Sequence, residues 1–269
     1  MERRKIALLD TDFISKMHFV QKDDQNPLID RILELPEYQF FCHEQIVKEL
    51  VRHNKNAPAW LAERIGEQRI ICYSDKRIVT ELKGFLGSFA CMKYTEILKT
   101  CCEAFSSEYF PKYYRKLEES DDRNLPTDAF LTLLKKLDDK VGEHNSLGEI
   151  KSYVLLQFLS LMSGKHIYVF CSDDKNARKG VLNIGAVRCI SVVSSFYRLK
   201  EELNWTLDDA LPYIESLVEF YNRHGQEKVR VLEASNINRM CRVPCEQVLR
   251  GIFEDQFIEL MNGLLKYKE

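Results

Sequence analysis

Two short apolar runs that end in carboxylates most constrain the fold of this chain. Ile6–Leu9 leads directly into Asp10-Thr11-Asp12, and Ile167–Cys171 leads into Ser172-Asp173-Asp174. Apolar runs without alternation are typical of strands buried on both faces of a parallel sheet, whose ligands bind at the carboxyl ends of the strands. The two runs therefore predict one acidic pocket at one edge of a parallel sheet.

Ionised carboxylates beside a core are costly unless they are paired or bind a metal. Like charges at close range also repel each other, so the predicted pocket needs a counter-charge. Mg²⁺ or Mn²⁺ is the expected ion, because both are hard cations that prefer oxygen ligands.

The remaining pattern predicts an α/β fold. Long helical stretches separate five short apolar segments, which implies a parallel sheet with right-handed crossovers and additional helices. We expect a core domain over residues 1–200, interrupted by a helical insertion near 78–144, and a C-terminal helical extension over 201–269. The five segments predicted as strands are Ile6–Leu9, Gln39–Cys42, Arg69–Tyr73, Ile167–Cys171 and Val187–Val193.

Two further acids stand at informative positions on predicted helices. Glu49 borders the apolar face of Glu44–Val51, and Glu149 precedes the strongly apolar run Ile150–Met162. Each also has an ordinary explanation, since most surface acids are solvated and a helix N-terminus favours a carboxylate.

In this order, the acid-bearing segments resemble the motifs of the PIN-domain family of metal-dependent nucleases. The resemblance covers roughly residues 5–75 and 145–200, and Asp12 stands where that family usually has Asn. The segments that carry it are Leu8-Leu9-Asp10-Thr11-Asp12-Phe13, Ile46-Val47-Lys48-Glu49-Leu50, Leu147-Gly148-Glu149-Ile150 and Cys171-Ser172-Asp173-Asp174.

The resemblance implies a Rossmann-like three-layer α/β/α sandwich and hydrolysis of phosphodiester bonds, with RNA favoured over DNA. It implies Mg²⁺ or Mn²⁺ held by Asp10, Glu49, Glu149 and Asp174, with Asp12 as an additional ligand or an orienter of water and Asp173 ranked behind Asp174. Ser172 would hydrogen-bond a ligand or a phosphate. Lys175 and Arg178 would contact phosphate, although a solvated helix start explains both equally well.

Composition limits the alternatives. The 269 residues carry a net charge of −2, which gives no global attraction to nucleic acid. The apolar stretch after the basic start is too short for a signal peptide, and no run suits a bilayer span. Nine scattered cysteines predict reduced thiols in a cytoplasmic protein, and the Cys241/Cys245 pair lacks the partners of a zinc site.

Other functions stay open from the sequence. A haloacid-dehalogenase-like phosphatase would use Asp10 as nucleophile, Asp12 as general acid and Lys165 as phosphate ligand. A non-catalytic PIN-like module could bind RNA, a protein partner or a second copy of the chain. The segment Asn236–Gly251 could form a helix-turn-helix that binds DNA. In the insertion, aromatic and basic residues alternate over Tyr109–Lys116, which could stack and hold single-stranded nucleic acid.

Overall fold

A computed structural model describes residues 5–22, 26–119, 126–142, 146–163, 167–184, 187–226, 228–233, 236–254 and 265–267. In chain order the elements are β1 (Lys5–Leu9), α1 (Thr11–Phe19), α2 (Leu28–Ile32), β2 (Tyr38–His43), α3 (Glu44–His53), α4 (Ala57–Gly66), β3 (Ile70–Tyr73), α5 (Asp75–Leu86), a 3₁₀ turn (Gly87–Phe89), α6 (Ala90–Phe105), α7 (Tyr109–Tyr113), α8 (Arg115–Glu119), α9 (Thr127–Val141), α10 (Leu147–Ser163), β4 (Tyr168–Cys171), α11 (Lys175–Ile184), β5 (Arg188–Ile190), α12 (Val192–Leu203), α13 (Leu207–Arg223), β6 (Lys228–Glu233), β7 (Asn236–Pro244), α14 (Cys245–Phe253) and β8 (Leu265–Tyr267).

The central feature is a parallel sheet of five strands in the order β3-β2-β1-β4-β5, flanked by helices. Strand β1 pairs in parallel with β2 through Ala7 and Phe40, and with β4 through Ala7 and Val169. All four residues from Ile6 to Leu9 are buried, as expected for a strand covered on both faces. This arrangement confirms the predicted α/β fold class and the predicted strands to within a few residues.

The chain divides into two compact units by its internal contacts. The first comprises residues 1–12 and 37–189, and the second comprises residues 13–36 and 190–269. The predicted domain boundary near residue 200 stays a prediction. Within the described ranges, no helix combines the length and apolarity needed to cross a membrane.

The predicted insertion belongs to the core of the first unit. Helix α6 buries Tyr94, Leu98 and Cys101 in the same apolar cluster as Leu8 of β1 and Phe170 of β4. The insertion is therefore part of the hydrophobic core and not a surface addition to it.

The aromatic-basic segment of the insertion has a different role from the one suggested by its sequence. Tyr109, Phe110 and Tyr114 are buried in the core, so these rings are not accessible to nucleic-acid bases. Burial of such large apolar surfaces stabilises the fold. The stacking hypothesis for Tyr109–Lys116 is wrong for these three rings.

The second unit contains strands that the sequence did not suggest. Strands β7, β6 and β8 form an antiparallel sheet in that order, with Val231 of β6 opposite Cys241 of β7. The predicted C-terminal helical extension is thus only partly helical. Because Asn236–Pro244 is a strand, the helix-turn-helix over Asn236–Gly251 is also wrong. The alternation of Val229, Val231 and Val243 with charged neighbours was the signal for strands.

Candidate metal and nucleic-acid site

Two acids follow neighbouring strands where the order of the sheet reverses direction. Connections from β1 lead outward to β2 and β3 on one side, whereas β4 and β5 lie on the other. Asp10 follows β1 and Asp174 lies shortly after β4, and the Asp10 amide donates to the Cys171 carbonyl at 3.1 Å. A reversal of this kind opens the crevice in which open α/β sheets bind ligands.

The Asp10 carboxylate is buried and lies in an environment that opposes its charge. Only 4% of the residue is exposed, and the Ser172 hydroxyl donates to Asp10 Oδ2 at 2.7 Å. Burial raises the pKa of Asp10 well above its ordinary value, and repulsion from Glu149 and Asp12 adds to the rise. The groups that oppose the rise are the Ser172 hydroxyl and the Thr11 amide, which are both neutral. A cation at this position would relieve the same cost.

The Glu49 carboxylate is fixed by donors from three segments. The Gly148 amide donates to Glu49 Oε1 at 2.9 Å, and the Gln45 side chain donates to the same atom at 3.3 Å. The Thr11 hydroxyl donates to Glu49 Oε2 at 3.2 Å. Glu49 therefore links α3 to the start of α10 and to the end of β1.

Gly148 permits this close approach because it has no side chain. A Cβ atom built there would stand 2.2 Å from Glu49 Oε2 and 2.7 Å from Glu49 Cδ. Gly148, which precedes Glu149 in the sequence motif, thus leaves room for the carboxylate of Glu49, another acid of the predicted site.

Glu149 lies in the first turn of α10, and its carboxylate is repelled by three other acids of the group. Burial raises its pKa to about 7, against the hydrogen bond to its own backbone amide. Repulsion from Glu49, Asp174 and Asp12 raises the pKa further. These interactions connect all five acids predicted as metal ligands, which we call the acid cluster: Asp10, Asp12, Glu49, Glu149 and Asp174.

Asp174 and Asp173 differ in exposure, and the ranking of Asp174 over Asp173 as a metal ligand stays a prediction. Asp174 is exposed and contributes to the raised pKa of Glu149, whereas Asp173 is 4% exposed. Asp174 Oδ1 accepts hydrogen bonds from the amides of Asn176 at 2.6 Å and Ala177 at 2.8 Å, so this carboxylate also caps α11. The helix-capping function and a role in the acid cluster are compatible.

The three residues predicted to contact substrate have separate surroundings. The Ser172 hydroxyl is buried and directs its proton to Asp10, so it orients a member of the acid cluster. Arg178 is half-buried, and its Nη1 donates to the Ser172 carbonyl at 3.5 Å. Lys175 begins α11, but its side chain lies outside the described part of the chain. The same holds for all of Lys165, the phosphate ligand of the phosphatase alternative.

The donor chemistry of the acid cluster suits a hard divalent cation. Five carboxylates supply oxygen ligands. Burial and mutual repulsion raise the pKa values of Asp10 and Glu149, and a nearby cation would counteract both effects. Among the described residues, no three His, Cys, Asp or Glu side chains are close enough together to hold an ion directly. Mg²⁺ commonly binds through one or two carboxylates and retains several waters, so the residues fit such an ion with water completing its shell.

A buried ion network that the sequence analysis missed lies next to Glu149 on α10. Lys151 is 1% exposed, and its Nζ lies 2.9 Å from both Asp75 Oδ2 and Asp138 Oδ2. Asp75 also contacts the Tyr94 hydroxyl and lies 3.2 Å from His43 Nε2. A lysine within a strongly apolar helix was the available signal, because a buried charge requires partners.

Opposing effects set the protonation of this network. Burial alone would raise the pKa of Asp75, but Lys151 and His43 hold it below its ordinary value. Burial alone would lower the pKa of Lys151, but Asp75 and Asp138 raise it. Burial raises the pKa of Asp138 despite the attraction of Lys151. Asp75 and Lys151 therefore form a charged pair at neutral pH.

A cavity of about 890 Å³ lies against both the acid cluster and this network. Glu49 and Glu149 line it from α3 and α10, and Asp75 and Asp138 line it from α5 and α9. Helix α9 belongs to the predicted insertion, so the insertion contributes directly to the wall of the cavity.

No protein-family model, no curated protein and no solved structure matches the chain. The relation to PIN-domain nucleases is therefore a proposal that depends on the motifs and on the geometry of the acid cluster.

Proposed function

We propose that this chain is a metal-dependent phosphodiester hydrolase of the PIN-domain type, with RNA as a more favoured substrate than DNA. The observation that carries the proposal is the electrostatic coupling of acids from four separate segments. Asp10, Glu49, Glu149 and Asp174 come from the end of β1, from α3, from the start of α10 and from the loop after β4. Clustering buried acids without a cation destabilises the fold, and acids with such raised pKa values are more common at functional sites than at purely structural ones.

Each residue has a definite task in this proposal. Asp10, Glu49, Glu149 and Asp174 would hold Mg²⁺ or Mn²⁺, one or two of them directly and the others through bound water, with Asp12 in support. The bound ion would lower the pKa of a water molecule, orient the scissile phosphate and neutralise charge on the leaving oxygen.

The neutral donors around the cluster would keep the carboxylates oriented without competing for the cation. Ser172 would direct Asp10 through its hydroxyl, and the Gly148 amide and Thr11 hydroxyl would direct Glu49. Such supporting donors commonly fix the orientation of metal ligands.

The test is cleavage of a mixed RNA pool with Mn²⁺ and with EDTA, by the wild type and by Glu49→Gln and Glu149→Gln. We expect cleavage only with the metal, and a loss of roughly a hundredfold or more in rate for each variant, which corresponds to several kcal/mol in the barrier. Glu103→Gln, an exposed position on α6, is the matched control and should cut like the wild type.

Circular dichroism must show that the variants are folded. If folded Glu49→Gln and Glu149→Gln proteins cut as fast as the wild type, the assignment of these residues is wrong. A covalent aspartyl-phosphate on Asp10 would instead support the phosphatase alternative.

A further inference from the structure

The cavity beside the acid cluster is also lined by cations from helices that carry no member of the cluster. Lys76 lines it from the first turn of α5, and Lys135 lines it from α9. Both side chains belong to exposed residues, whereas Glu49 and Glu149 on α3 and α10 are half-buried. An anion in this cavity would therefore meet cations and the proposed catalytic acids in one continuous space.

The lining of the cavity would repel an anion if all its carboxylates were uncompensated. Among the described residues, six carboxylates and four cations line it. Lys151 is buried behind the wall and pairs with both Asp75 and Asp138, and Lys48 lies 3.6 Å from Glu44. These pairs take up much of the negative charge of the walls, so that Lys76 and Lys135 can act on a ligand.

The size of the cavity limits what can enter. The cavity volume of about 890 Å³ falls within the range of pockets that enclose a drug-sized ligand. A ligand of that size is roughly one to three nucleotides of a single strand. Double-stranded RNA is recognised across its grooves over many base pairs and does not fit such a space. Leu131, which also lines the cavity, is half-buried and offers apolar surface to an unpaired base, with the buried Leu134 and Leu147 packed in the same wall.

We propose that single-stranded RNA enters this cavity and that Lys76 and Lys135 bind its phosphates next to Glu149. The inference rests on the proposed hydrolase function and assigns its specificity to the insertion, because α9 supplies Lys135 and one wall of the cavity. Access to the acid cluster is then limited to unpaired nucleotides by helix α9 and its neighbours.

The chain offers two closely matched controls. Lys136 follows Lys135 on α9, and Lys83 lies on α5 with Lys76; both are exposed and neither is part of the cavity lining. Each of the four lysines would be changed to Glu, so that net charge, helix and exposure are the same within each pair and only the position differs.

Binding is measured first, by fluorescence anisotropy in EDTA, with a labelled single-stranded RNA of eight nucleotides and with the same strand in a duplex. We expect Lys76→Glu and Lys135→Glu each to weaken binding of the single strand roughly fivefold or more and to reduce the salt slope by about 0.7. Lys83→Glu and Lys136→Glu should change binding less than twofold, and the duplex should bind more weakly than the single strand.

Three results would overturn the inference: equal losses in the cavity and control variants, tighter binding of the duplex, or no binding of the single strand by the wild type. Cleavage with Mn²⁺ is then measured separately. If binding depends on Lys76 and Lys135 but nothing is cleaved, the hydrolase proposal fails and the binding site stands. If RNA is cleaved and the two lysines do not matter, the hydrolase proposal stands and the binding site is wrong.

Discussion

The carboxylate of Glu49 shows how much of the candidate site depends on neutral neighbours. Its donors come from α3, from the residue after Asp10 and from the amide of Gly148. The sequence motifs identified the acids themselves, because strand ends and helix starts can be recognised from local pattern. They could not identify Thr11 and Gly148 as partners of Glu49, because those contacts form only when distant segments meet.

Gly148→Ala tests this dependence at a single residue. The new methyl group would overlap Glu49, so we expect Glu49 to move and to lose its bond from the backbone amide. Misplacement of a reacting group by about 1 Å commonly costs roughly a hundredfold in rate. Metal-dependent RNA cleavage and far-UV circular dichroism of the purified variant measure activity and fold separately.

Gly84→Ala is the control for this substitution. Gly84 lies within α5, and a Cβ atom there would have no heavy atom within 4 Å. That change should leave cleavage unaltered and stabilise the helix by about 0.5–1 kcal/mol. Equal activity of the Gly148→Ala variant and the wild type would contradict the steric role of Gly148.

At the scale of elements, the buried Lys151 joins α10 to α5 and α9. Its two aspartate partners stand 76 and 13 residues away in the chain, so no local pattern could pair them. The same limit applies to the Tyr109–Lys116 segment. Its alternation of rings and cations is compatible with an exposed stacking surface and with packing into the core. The second is observed, because the Tyr114 hydroxyl donates to Asp138 at 2.6 Å and the Tyr114 ring lies in the hydrophobic core.

Lys151→Met should destabilise the fold strongly, because it leaves Asp75 and Asp138 buried without their cation. Removal of one partner from a buried ion network typically costs about 3–5 kcal/mol in the free energy of unfolding. Lys93→Met breaks the partly exposed pair with Glu96 at 3.0 Å and should cost at most about 1 kcal/mol. Urea unfolding of both variants compares the two losses, and similar losses would show that the network contributes no more than a surface pair.

At the scale of the whole molecule, the order of the sheet follows from the sequence only in part. Five apolar segments separated by helices imply a parallel sheet, and the acids after β1 and β4 imply that these strands are neighbours. The three-stranded C-terminal sheet was missed, despite the alternation in β6, because its strands adjoin the strong helical pattern of α13 and α14. The acid cluster, by contrast, predicts how the stability of the protein depends on pH and on divalent metal.

In the metal-free protein, the contribution of the acid cluster to stability should fall as the pH rises from about 4.5 to about 7, against a smaller opposite effect of His18, whose pKa is lowered by burial. The ordinary pKa of Glu149 is 4.5 and its pKa in the fold is about 7, so over this interval the folded state binds more protons than the unfolded state. The free energy of unfolding then falls with rising pH, by roughly 2–3 kcal/mol for this group, and the raised pKa of Asp10 acts in the same direction.

Saturating Mn²⁺ should reverse this loss above pH 7, because the ion binds the deprotonated carboxylates. At a hundredfold excess over its dissociation constant, a ligand of the folded state adds about 2.7 kcal/mol. Thermal unfolding at pH 5 and pH 8, with and without Mn²⁺, measures both effects, and Glu149→Gln should reduce both the pH slope and the response to metal. Equal stabilisation by Mn²⁺ at the two pH values would separate the acid cluster from metal binding. A pH profile identical in the wild type and in the variant would contradict the raised pKa of Glu149.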